Sequence, residues 1–271
     1  MNNVLSPKRF GKYLCYDLEN AWNNFGLSLI VLGLLPAIIF VVFQLFSLIF
    51  NGHVTINDDA VMPMRFLSGI ICVVVGFIIF PTKGYGSVTK KRAGSSFLML
   101  PASTFEKWLS MMIVLCLAAP LCLGALYIGS DTLLGLVFPN SYGTPIVKMP
   151  FNEMFSEVEM PVDLNINFSG IAWGNWASST LFFLLGAMIF KKGKVGKTIL
   201  ALFALSIIIS TAMSVAAGAF MDQDANVFLR MFDEDPEIAA SKLINFAQIS
   251  QYTQVAVLMG LSYLRLRSIK H

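Results

Sequence analysis

The chain has 271 residues, 56% hydrophobic and only 13% charged, with a formal net charge of +3. A mean hydropathy of +0.71 excludes an ordinary soluble domain, and without any base-stacking or groove-reading motif the basic face favours anionic lipid or an acidic partner surface over nucleic acid, so no nucleic-acid partner is expected. Fifteen of the 19 Lys and Arg residues fall in four short stretches, 8–12, 83–107, 191–197 and 265–270, whereas the loops between them hold four basic residues against twelve acids.

Short loops rich in Lys and Arg stay cytoplasmic. The charge pattern therefore predicts an all-α polytopic protein of the inner membrane. It has six transmembrane helices, both termini cytoplasmic, and one membrane domain over 1–271. Residues 6–24 are too polar to span. Phe10, Leu14, Leu18, Ala21 and Phe25 recur at helical spacing among charged residues, which predicts an amphipathic helix lying in the inner interface. The first span follows at about 26–50, uncharged and kinked by Pro36. An outer loop, 51–65, holds Asp58, Asp59 and Arg65, and the second span, about 66–82, ends at Pro81.

A basic, glycine-containing inner loop with Lys90, Lys91 and Arg92 leads to the apolar stretch Phe97 to Leu100 and then Pro101. Ser103 and Glu106 have capping-box spacing, which starts the third span (about 105–136) and makes 93–104 a compact cytoplasmic knob. Asp131 is the one acid inside that span, and no other span offers it a basic partner. The outer segment 137–169 contains alternating patches (Ile146, Lys148, Met149; Val162, Leu164, Ile166) suited to short strands. Span four is about 170–190, span five about 197–220 after a tight basic turn, and span six about 243–264 after the acidic outer segment 221–242.

Gly170, Gly174 and Ser178 in span four, and Ser206, Ser210, Ser214 and Gly218 in span five, repeat every four residues. Small residues so spaced let helices approach closely, either within one subunit or at a seam between two. Gln248, Gln251 and Gln254 share a face of span six, suited to interhelical hydrogen bonds or to a polar path. The stretch KKGKVGKT (191–198) ends like a phosphate loop, but Lys191 stands where that motif needs glycine and two spans flank it. No enzyme constellation is present: His53 and His271 lie on opposite faces by this topology, and neither HExxH nor GxSxG occurs. The four cysteines form no CxxC pair, so neither a zinc site nor a disulfide framework is expected. No cleavable signal peptide is expected either.

The order of parts resembles the type-2 ATP-binding-cassette exporter permeases. An elbow helix (Pro7–Asn24), a loop between spans two and three (Thr82–Glu106) and an insertion between spans five and six (Met221–Leu243) correspond in position. The run Phe97-Leu-Met-Leu-Pro-Ala-Ser-Thr-Phe-Glu-Lys107 resembles the pattern that closes that loop in such permeases, although 137–169 is long and 221–242 acidic for the family. The resemblance implies an exporter subunit, paired as a homo- or heterodimer in membrane lipid. A separate cytosolic ATPase would bind the ATP, so the chain itself carries no cofactor. Phe97, Leu98, Leu100 and Glu106 would dock the ATPase, with Lys90, Lys91 and Arg92 as electrostatic support. The alternative is a non-transporting assembly, sensing or anchoring protein whose acidic outer segments bind a partner.

Overall fold

The computed structural model describes residues 6–51, 58–89, 94, 97, 99–148, 168–223 and 236–269. Every regular element among them is helical. The elements are α1 (Pro7–Gly33), α2 (Leu35–Asn51), α3 (Asp58–Tyr85), α4 (Thr104–Ile113), α5 (Ala119–Val137), the short α6 (Pro139–Tyr142), α7 (Phe168–Ile189), α8 (Lys194–Gln223) and α9 (Pro236–Ser268). A π segment, Val114–Ala118, joins α4 to α5, and 3-10 turns occupy Gly86–Thr89 and Ile146–Lys148.

Three helical stretches among the described residues are long and apolar enough to cross a membrane: Val61–Thr89, Thr104–Val137 and Lys194–Ala212. The pair α1 and α2, bent by 48° at their junction, makes a fourth candidate. The bend has a local cause. Pro36 cannot donate to the Leu32 carbonyl and its ring crowds that carbonyl, so the helix breaks two residues earlier, at Leu34. A Cβ at Gly33 would lie 2.4 Å from the Leu126 Cβ, so glycine there lets the bend press onto α5.

Three expectations are corrected. The amphipathic segment does not end at residue 24, because α1 runs unbroken from Pro7 to Gly33. Its buried stripe is Tyr13, Asp17, Ala21 and Phe25, packed on α3 and α4, while Leu18 and Trp22 face outward. Second, Pro81 does not end the second span, since α3 continues to Tyr85. The Thr82 hydroxyl donates to the carbonyls of Ile78 (2.6 Å) and Ile79 (3.2 Å), next to the rung the proline removes. Third, Ile146–Lys148 is a 3-10 turn rather than a strand, while Met149, Val162, Leu164 and Ile166 lie outside the described residues.

The core centres on α7. Thr180, Leu181, Leu184, Ala187 and Met188 are all fully buried, and α3, α8 and α9 pack around them. A helix enclosed by protein has less need of an apolar circumference than one facing lipid. Accordingly α7 carries Asn175, Ser178, Ser179 and Thr180 and is not among the stretches long and apolar enough to span. Gly186 sets the α7–α8 spacing: a Cβ there would lie 1.9 Å from the Thr198 Oγ1. Between these helices Gly193 adopts φ 62°, a left-handed turn conformation that glycine takes without steric cost.

The π segment has an equally specific consequence. The Ala119 N–H reaches back to the Val114 carbonyl, so the Leu115 carbonyl would next receive the N–H of residue 120, which is proline. The Trp176 Nε1 of α7 donates to it instead at 3.1 Å. A proline in one helix is thereby matched by an indole in another.

Candidate functional site

The polar groups gather at the two ends of the bundle. The first cluster surrounds the start of α4. Ser103 accepts from the Glu106 N–H at 3.2 Å and the Glu106 carboxylate accepts from the Ser103 N–H at 2.7 Å, the reciprocal capping box expected from their spacing. The same carboxylate accepts from Arg9 Nε (2.8 and 3.1 Å) and Nη2 (2.8 Å), and from the Ser6 N–H at 3.0 Å. Glu106 is thus fully buried, with its oxygens engaged inside the protein rather than offered to a partner. One residue on, the buried Lys107 donates to the Phe97 carbonyl at 2.8 Å and lies 5.1 Å from the Phe97 ring centroid. The knob before α4 is therefore fastened from both sides.

Around this centre the other helix ends are tied in. Asp17 on α1, 2% exposed, accepts from the Tyr85 hydroxyl (2.8 Å) at the end of α3 and from the Ser110 hydroxyl (2.6 Å) of α4. Lys194, opening α8, donates to the Gly86 carbonyl, to Thr89 Oγ1 at 2.6 Å and to the Ala187 carbonyl at 3.0 Å. The same ammonium serves a helix C-terminus, where free carbonyls and the dipole favour a cation. Trp108 Nε1 donates to Ser262 Oγ of α9 at 3.0 Å, and Arg265 Nε to the Met188 carbonyl at 3.3 Å. Six helices (α1, α3, α4, α7, α8 and α9) and described residues of the segment between α3 and α4 are thus tied together at this end by a set of polar clusters.

Of the residues expected to dock a partner, Phe97 is half-buried against the core, Leu100 is half-exposed and Glu106 is enclosed. Lys90, Lys91, Arg92 and Leu98 lie outside the described residues. Met99, not singled out from the sequence, is 81% exposed and presents an apolar side chain between Phe97 and Leu100.

The opposite end holds an ion pair that sequence reading missed. Arg65 Nε lies 3.1 Å from Asp131 Oδ1, with both side chains buried. Asp131 also accepts from the Tyr142 hydroxyl (2.6 Å) and the Ile146 N–H (2.8 Å). Arg65 donates to the Tyr142 carbonyl at 3.0 Å and sits 4.3 Å above the Tyr142 ring. Asp131 was expected to lack a basic partner because Arg65 was assigned to the outer loop. In the structure α3 begins at Asp58 and carries Arg65 into the bundle. The signal was available: Met62 to Leu67 continues the second span's apolar spacing with a single charge.

The small-residue faces divide. Gly174 and Ser178 are buried within the chain, and a Cβ on Gly174 would strike the Gln251 side chain at 2.8 Å. Gln251 Nε2 donates to Asn175 Oδ1 (2.7 Å) and to the Ile171 carbonyl (3.3 Å), an interhelical bond between α9 and α7. Gln248 is half-buried, Gln254 exposed and Gly170 partly exposed. Ser206, Ser210 and Ser214 are exposed on α8, whose apolar window is only 6% buried, and Gly218 follows on the same helix. Among the described residues no cluster of His, Cys, Asp and Glu is arranged to hold a metal ion.

No protein-family model matches the chain, and no curated protein or solved structure matches it.

Proposed function

We propose that the chain is the permease subunit of an ATP-driven exporter, a six-span inner-membrane protein with both termini cytoplasmic, acting as a dimer with a separate cytosolic ATPase. The observation that carries this reading is the polar network around Glu106. With the bonds of Lys107 and Lys194, it ties described residues of the segment between α3 and α4 (Gly86, Thr89, Phe97 and Ser103) to α1, α4, α7 and α8. A force applied to that segment is delivered to several helix ends at once, which is what alternating access driven from outside the membrane requires.

Two further observations support the topology. At about 1.5 Å per residue, the 22 residues of α7 and 33 of α9 extend roughly 33 and 50 Å, the length of a roughly 30 Å core, although neither is among the stretches apolar enough to be candidates by composition. The basic residues Arg9, Lys107, Lys194 and Arg265 all bond into the same end of the bundle, the end that the positive-inside rule assigns to the cytoplasm. ATP chemistry belongs to the partner. Lys194, within the stretch that ends like a phosphate loop, is committed to helix-end carbonyls.

The test is Met99→Glu, which places a charge on the exposed tip without touching the network. Affinity purification of the full chain from native membranes should recover an associated ATPase with the wild type and lose it with the variant, at equal membrane insertion. Recovery of the same ATPase with both, or of none with either, refutes the proposal.

A further inference from the structure

A side-opening groove runs between α3, α5 and α7. Its inner part, about 760 Å³, is lined by residues from Gly69 to Phe77 of α3, Pro120 to Ile128 of α5 and Ala172 to Ser179 of α7. A second hollow of about 490 Å³ continues it toward Arg65 and Ile146, and the two share Gly69, Val73 and Tyr127. From Met62 to Phe77 the α3 wall covers about 22 Å at 1.5 Å per residue. One leaflet contributes about 15 Å of hydrocarbon, half of a roughly 30 Å core.

We infer that this groove is a binding site for one acyl chain of a membrane phospholipid, entered sideways from the bilayer with the headgroup at the Arg65 end. Several of the polar atoms in its walls are already engaged. The Tyr127 hydroxyl donates to the Arg65 carbonyl (2.8 Å) and lies 2.8 Å from Ser68 Oγ, the Asn175 amide oxygen accepts from Gln251, and the Trp176 indole N–H is held by Leu115. The walls are mainly hydrocarbon, so few groups remain to give a water the two to four partners it needs or to orient a polar cargo. A hydrocarbon chain needs only contact, and the groove opens between α3 and α5, both of which belong to stretches long and apolar enough to span a membrane. Beyond the far end, Lys148 is exposed two residues after Ile146, a cation available to an anionic headgroup at that end of the groove. Gly124 keeps the groove deep, because a Cβ there would meet nothing within 4 Å. The inference stands apart from the exporter reading, since a retained chain requires no ATPase.

The experiment uses the full chain in phosphatidylethanolamine–phosphatidylglycerol vesicles doped with a phosphatidylglycerol that carries a diazirine in its acyl chain. After illumination, peptide mapping should find adducts on Val73 and Leu121 several-fold denser than on Ile207 and Phe203, which lie on the exposed face of α8 and sample bulk lipid. Gly124→Phe should lower the groove adducts about tenfold, as an aromatic ring takes the space of the chain, and leave the α8 adducts unchanged. Val73→Phe, from the opposite wall, repeats the test should the first variant fail to insert. Equal adduct density in groove and α8 of the wild type overturns the inference. So does groove labelling that survives both variants, or a disulfide between Leu121→Cys copies, which would put a second copy of this chain in the groove.

Discussion

Asp131→Ala should be more damaging than Arg65→Met, and the double variant should be less damaging than the two singles added. Removing the Asp131 carboxylate leaves the Arg65 guanidinium buried with the Tyr142 carbonyl and ring, and strips acceptors from the Tyr142 hydroxyl and the Ile146 N–H. Breaking one side of a buried pair costs about 3–5 kcal/mol. In Arg65→Met the carboxylate keeps both of those donors, so about 2–3 kcal/mol is expected. The double variant loses the charges together and leaves two donors short of an acceptor, at about 1 kcal/mol each. The coupling energy should then be about 3–6 kcal/mol. Equilibrium unfolding in mixed micelles, followed by tryptophan fluorescence and circular dichroism for all four proteins, measures it. Additivity within about 0.5 kcal/mol would refute the argument that this pair is a single buried unit.

Three other outcomes follow from particular contacts. Trp176→Phe strands the Leu115 carbonyl and should lower stability by about 1–3 kcal/mol in the same unfolding assay. Adding Pro120→Ala, which restores a backbone donor, should reduce that loss, and no reduction would dismiss the pairing of proline with indole. Gly186→Ala drives a methyl into the Thr198 side chain and should cost about 1–3 kcal/mol, recovered in part by Thr198→Ala, as the unfolding midpoints would report. Lys194→Met releases the turn Gly86–Thr89 from the end of α7, so limited proteolysis should cut the segment between α3 and α4 several-fold faster while sparing α7. An unchanged cleavage rate would show that the network does not depend on this lysine.

Periodicity and composition made much of the protein legible. Apolar runs located the helical segments, Ser103 and Glu106 announced the start of α4, and Pro36 announced the bend. These are local effects: hydropathy over about 20 residues, a side chain reaching its own backbone, a missing N–H. The tertiary structure alone decided which polar residues meet. Arg65 and Asp131 are 66 positions apart, and Arg9 and Glu106 are separated by 97. No spacing rule links such residues, because their meeting depends on how far α3 extends and on which face α1 turns inward. The same holds for the groove beside Gly124, which is the space left when three helices are placed, and for Gln251, whose partner Asn175 lies on another helix. A polar side chain in an apolar run announces that it needs a partner; only the packed chain supplies one.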